Sequence, residues 1–192
     1  LRMLPLLGKN KPFLLYVLSI AAFGFAGLIP AAFYPAVLVD RLHLTYTDVS
    51  WLGLVQSLTW LVGYLVWGRW MSRLGGVHTL QIIYLSMILY PLCHWFAPSA
   101  WWLLPAYIAS GVANAGVDLA FTNVTIDLAE PERVAEYAAL QRTIIGIRGI
   151  TGPLLGVWLN QMGVPMPAIF ALSILLFAVA AAMVTLPAMR KA

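Results

Sequence analysis

The chain has 192 residues, of which 62% are hydrophobic and only 9% carry charge, whereas soluble domains average about 45–50% apolar and about 25% charged residues. No water-soluble fold of this length hides so much apolar surface, and at about 20 residues per membrane-spanning helix it accommodates about six spans with no separate soluble domain. The formal net charge of +4 comes from basic residues scattered among separate connections, never a run of Lys or Arg, which argues for membrane topology and against nucleic acid as a partner.

The lone Cys93 excludes an internal disulfide and a cysteine metal cluster, and inside an apolar run it reads as a small buried hydrophobe. Residues 2–11 carry no small-residue cleavage site after an apolar stretch, so no signal peptide is expected. A chain that starts without Met is expected to be a fragment or an excised half.

Charges and turn formers divide the chain into apolar segments at approximately 13–39, 49–71, 77–96, 101–128, 135–159 and 167–186. Their continuous apolar runs favour helices over membrane strands, which would alternate apolar and polar residues. Most connections are short enough to force neighbouring helices antiparallel. In the first segment Gly24 and Gly27 precede Pro30 and Pro35, so that helix is expected to bend or partly unwind toward its outer end. The alternative is that these are ordinary packing residues. His78 and His94, near the two ends of the third segment, are expected at the interfaces. Trp95, Trp101 and Trp102 fit an aromatic belt at the outer surface. Glu130, Glu132, Arg133 and Glu136 form a solvated turn with a helix start after Pro131, and the uncharged sixth segment suits a lipid-facing support helix.

Orientation follows from the basic residues. One side collects Arg2, Lys9, Lys11, Arg69, Arg73, Arg133, Arg142, Arg190 and Lys191, nine in all, against the single Arg41 on the other. Both termini are therefore expected in the cytoplasm. Arg148 is left over, in the middle of the fifth segment.

After the second segment comes Gly68-Arg69-Trp70-Met71-Ser72-Arg73-Leu74-Gly75-Gly76. Gly75 and Gly76 can end a helix sharply, Ser72 can cap one, and Arg69 and Arg73 can meet carbonyls, carboxylates or anionic headgroups. This stretch resembles the signature cytoplasmic loop of the major facilitator superfamily. Gly68, Arg73 and Gly75 match the pattern, while Ser72 stands where an Asp is usual and Gly76 where a basic residue is usual. In the fifth segment Gly149, Gly152, Pro153 and Gly156 resemble the Gly-Pro-rich motif of the superfamily's antiporters, although small residues at this spacing also serve close helix packing, with Pro153 inviting a kink. The resemblance covers the whole chain. It implies an all-α six-helix transmembrane bundle, one half of a transporter, and the degraded loop together with the long stretch before the first segment favours the C-terminal half.

Asp118 lies well inside the fourth segment and is expected to reach a depth similar to that of Arg148, so the two are candidates for a direct pair. That pair would be either a switch, broken or protonated during transport, or a permanent structural bridge. Asn114 and Thr122 flank Asp118 at four-residue spacing and place Asn, Asp and Thr on one helical face. The resemblance puts this stripe at the substrate cavity, together with Tyr34, and Gln56 is expected to contribute. No nucleophile–base pair, metal-ligand cluster or phosphate-binding Gly-Lys loop is present in the sequence, so no catalysis, metal or cofactor is expected. The expected partners are the lipid bilayer, a second six-helix half and a small-molecule substrate. The competing class is a non-transporting membrane subunit or assembly factor, or a half-size protein that dimerises.

Overall fold

The computed structural model describes residues 10–190. Three of the basic residues in the orientation count, Arg2, Lys9 and Lys191, lie outside the described residues. Among the described residues every regular element is helical: α1 Lys11–Leu28, α2 Phe33–Ala36, a π-helical turn Val37–Arg41, α3 Tyr46–Leu74, α4 Gly76–Ser86, α5 Leu89–Phe96, a 3-10 turn Ala100–Leu103, α6 Leu104–Leu128, a 3-10 turn Pro131–Arg133, α7 Val134–Gln161, α8 Met166–Val184 and α9 Pro187–Arg190.

Five stretches are long and apolar enough to cross a membrane: Lys11–Arg41, Tyr46–Leu74, Gly76–Phe96, Ala100–Leu128 and Met166–Val184. The 28-residue α7 has the length to cross but is less apolar, since it carries Glu136, Arg142 and Arg148.

The first stretch is interrupted where its prolines predict. Pro30 cannot donate to the helical ladder, α1 ends at Leu28, and Ala31 and Phe33 bond instead to the carbonyls of Leu28 and Pro30 at 3.2 and 2.9 Å. The third stretch is broken too, which the apolar pattern did not reveal. The ring of Pro91 displaces the carbonyl four residues back, that of Met87, and the chain turns at Met87 and Ile88 between α4 and α5. Pro153, by contrast, sits inside an uninterrupted α7.

Helices α1 and α6 occupy the centre. The first packs against α7 and α8, the other along α3 and against α4 and α5, while α4 also meets α8. Fully buried Phe13, Tyr16 and Ile20 of α1 join Leu80 and Tyr84 of α4, Tyr137 of α7 and Phe177 of α8 in one core. Phe23 stacks on Tyr84 with ring centroids 4.6 Å apart and meets Phe177 edge-on at 5.4 Å. Helices α3 and α7 are covered along one side, leaving Leu61, Leu65, Ile150 and Leu154 more than 60% exposed for lipid or protein to cover.

Several buried polar groups are bridged between helices, as the low dielectric favours. The Tyr16 hydroxyl donates to the Phe121 carbonyl at 2.8 Å, and the buried Gln141 amide donates to the Tyr16 oxygen at 2.9 Å and the Phe121 carbonyl at 3.1 Å. This network ties α1, α6 and α7 together. At its start Asn10 caps α1 by accepting from Phe13 N–H at 3.0 Å, and its amide donates to the Leu128 carbonyl at 2.8 Å. At the other end of the first stretch the Arg41 guanidinium donates to the carbonyls of His94, Trp95 (3.0 Å) and Ala97 (3.3 Å). These are among the last carbonyls of α5, which have no partner within the helix. Arg41 is therefore a helix cap.

Candidate functional site

Close helix approach brings the polar residues of α3 and α6 together. A Cβ on Gly63 would meet Ala115 and Val112, and one on Gly111 would meet Gln56 and Thr59, so both glycines mark tight contact between the two helices. Across this seam Gln56 donates its amide to Ser110 Oγ at 2.8 Å, and Asn114 reaches the same hydroxyl at 3.5 Å. Two turns further in, the Tyr64 hydroxyl donates to Asp118 Oδ2 at 2.5 Å. Thr122 turns its hydroxyl back to the Asp118 carbonyl at 3.2 Å. Asp118 and Thr122 are exposed and Asn114 is half-buried, so the stripe lies along an open side of the bundle.

The depth of this site follows from helix geometry. Asp118 is ten residues before Leu128, the end of α6, and Tyr64 ten residues before Leu74, the end of α3. At ~1.5 Å per residue both lie ~15 Å from those ends, so the pair sits at one level well inside the two apolar helices. A carboxylate at that depth costs ~2.5–3.5 kcal/mol on insertion scales. The Tyr64 hydrogen bond offsets part of the cost.

The direct Asp118–Arg148 pair expected from the sequence is not formed. Among the described residues the ion pairs within 4.0 Å are those of Arg133 with Glu130 and Glu136. Arg148 projects instead between α1 and α6. Its Nη1 donates to the Ile20 carbonyl at 2.5 Å, its guanidinium lies 6.0 Å from the ring centres of Phe23 and Phe121, and it fills the space that a Cβ on Gly24 would need. Its Nε is buried without a hydrogen-bond partner. The two charges come from the same depth estimate but face different neighbours, which spacing along separate helices does not reveal.

Tyr34, His94 and Ser72 each have partners that the sequence does not reveal. Tyr34 does not join the stripe. The chain turns at Pro30, and the Tyr34 ring packs against Tyr90, His94 and Phe170 at 4.8, 4.6 and 5.6 Å, on the side of α5 and α8. His94 is fully buried near the end of α5, with Nδ1 on the Tyr90 carbonyl at 2.8 Å. Ser72 caps nothing, because its hydroxyl donates back to the Arg69 carbonyl at 2.9 Å. The helix break belongs to Gly75, whose φ of +78° ends α3 and starts α4. Gly68 is open on its Cβ side, and Arg69 and Arg73 are exposed.

The Gly-Pro-rich run divides in two. Cβ atoms on Gly152 and Gly156 would strike Leu28 and the Ile29 carbonyl, at the end of α1, whereas Gly149 faces open space. Pro30 and the Gly152–Gly156 seat therefore meet at one junction. In the connection after α6 Arg133 bonds Glu136 at 2.7 Å, a contact that raises the guanidinium pKa further. His78 is exposed at the start of α4.

Tyr64 was missed by the sequence reading, since a tyrosine in an apolar helix with several tryptophans carries no distinguishing pattern. The signal available was helical register: Gln56 and Tyr64 are eight residues apart on α3, as Ser110 and Asp118 are on α6, so two parallel helices in contact bring both pairs together.

The family model of the Major Facilitator Superfamily matches residues 13–192. This chain belongs to that superfamily, and its kind of function is membrane transport. No curated protein matches the chain. A small-molecule substrate and a lipid environment go with membership of the family and with the apolar helices.

Proposed function

We propose that this chain is the C-terminal six-helix half of a secondary active transporter that moves a small solute by alternating access. All six long helical stretches cross the bilayer in this reading, α7 included. The observation that carries it is the Asp118 carboxylate on the open side of α6, held by Tyr64 near mid-depth. An ionisable group kept there is costly and is a functional site by default. Alternating access places substrate at the midplane between two bundles that rock against each other. The second bundle would cover the Asp118 side and the exposed faces of α3 and α7, either as an upstream part of the same polypeptide or as a second copy. The termini are cytoplasmic in this reading, as the basic residues on one side favour, and the proposed location is a bacterial inner membrane. Protons are the proposed coupling ion, with Asp118 as their carrier.

One observation favours the competing scaffold reading: Ser72 replaces the acidic residue of the loop signature and spends its hydroxyl on Arg69, leaving nothing there to latch the bundles. The mid-depth carboxylate weighs more, since an idle scaffold has little use for it.

Reconstitution into vesicles tests the proposal. Solute uptake with accompanying proton movement is expected in the wild type and lost in Asp118→Asn, with the folded state preserved. Full uptake by Asp118→Asn would overturn the assignment of Asp118, and no uptake of any solute by folded protein, alone or with its second bundle, would favour the scaffold.

A further inference from the structure

The two mid-span charges are treated differently by their neighbours, and the difference specifies a ligand class. Arg148 is occupied: a backbone carbonyl and two aromatic rings hold it between α1 and α6. Asp118 is exposed and has one hydrogen bond, from Tyr64, with no Lys, Arg or His within 4.0 Å among the described residues. Its surroundings add further negative potential. Trp60 stacks on Tyr64, ring centroids 6.5 Å apart and planes 20° from parallel, and the two side chains are 40% and 38% exposed. Aromatic faces carry the negative end of the ring quadrupole and attract cations.

The neighbouring polar groups on this side, Gln56, Ser110 and Asn114, are neutral. The charged residues of α3, Asp48, Arg69 and Arg73, lie at its ends. The open side therefore offers one anion, two accessible rings and neutral donors. An anionic solute would face an uncompensated carboxylate in a medium that screens poorly, whereas a cation would neutralise it.

We infer that Asp118, Tyr64 and Trp60 form a binding subsite for an organic cation with an apolar body. The carboxylate supplies the charge contact, Tyr64 fixes the carboxylate, and the Trp60–Tyr64 pair supplies a ring surface for the cationic centre. The inference deepens the transport reading and rests on it for its physiological meaning, but not for binding itself.

Tetraphenylphosphonium and tetraphenylborate share a shape and differ in the sign of charge, so their binding to the protein in neutral detergent isolates the electrostatic part. The wild type is expected to bind the phosphonium at least ~10-fold more tightly than does Asp118→Asn, while borate affinity stays level or rises on that substitution. The asparagine keeps an oxygen for Tyr64, so the bond across the seam survives. Trp60→Ala should weaken the phosphonium ~2–5-fold and leave the borate unchanged. Tyr64→Phe retains the carboxylate and should keep the charge preference. Equal phosphonium affinity in the wild type and Asp118→Asn would overturn the subsite, and so would a preference that disappears when the second bundle is present.

Uptake separates this proposal from the transport reading. Phosphonium that binds through Asp118 but never enters vesicles sinks transport and leaves the subsite standing. Asp118-dependent uptake of neutral or anionic solutes alone, with no phosphonium binding, does the reverse.

Discussion

Replacing Arg148 by methionine is expected to leave the protein as stable as the wild type, although it removes a charged hydrogen bond. The gains from Arg148 are one bond to a carbonyl, worth ~1.5–3 kcal/mol for a charged donor, and two ring contacts of ~0.5–1 kcal/mol each. Against them stands the cost of desolvating a guanidinium whose Nε has no partner, which is several kcal/mol per buried ion. The terms nearly cancel, and a long apolar side chain keeps the groove over Gly24 filled. Methionine should therefore fall within ~1–2 kcal/mol of the wild type. Alanine leaves the groove empty and should lie ~2–5 kcal/mol below methionine. Cys93 is the single cysteine and is buried, so a fluorogenic maleimide reports unfolding directly as detergent-solubilised protein is heated. At ~2–4 °C per kcal/mol for a chain of this size, alanine should melt ~5–15 °C below methionine. If methionine melts as low as alanine, the guanidinium is a net stabilising bracket and the cancellation argued here is wrong.

The same melting assay tests the junction beside Pro30. Gly156→Ala drives a Cβ into the Ile29 carbonyl and should destabilise by ~1–3 kcal/mol, whereas Gly149→Ala meets nothing and should be neutral or stabilising by up to ~1 kcal/mol. Arg41→Ala releases the carbonyls of His94, Trp95 and Ala97. It should cost ~1–3 kcal/mol and speed maleimide labelling of Cys93 in α5 below the melting range, and unchanged labelling would show that water replaces the guanidinium at no cost.

The helical class was legible because burying apolar surface in lipid leaves continuous runs bounded by charge. So was the interruption at Pro30, since a missing N–H has one local consequence. The interruption at Met87 was equally local in cause, through Pro91, but that proline sits four residues after the break it produces. Partners across the bundle were not legible. Arg148 bonds a backbone carbonyl, which any residue at position 20 would supply, and Tyr64 meets Asp118 across 54 residues of chain. The place of His94 near the end of its segment was legible, whereas the rings of Tyr34, Tyr90 and Tyr107 that close around it were not. Depth along one helix is written in the sequence, whereas azimuth about its axis depends on neighbours that arrive later in the chain.

The first span is fastened at both ends and broken between them. Asn10 ties its beginning to the end of α6, and Arg41 ties its end to the end of α5. A rod pinned in this way transmits bending poorly, but this one is jointed at residues 29–32, where a change in a few backbone torsions would move one arm against the other and leave the ladder and the anchor of each intact.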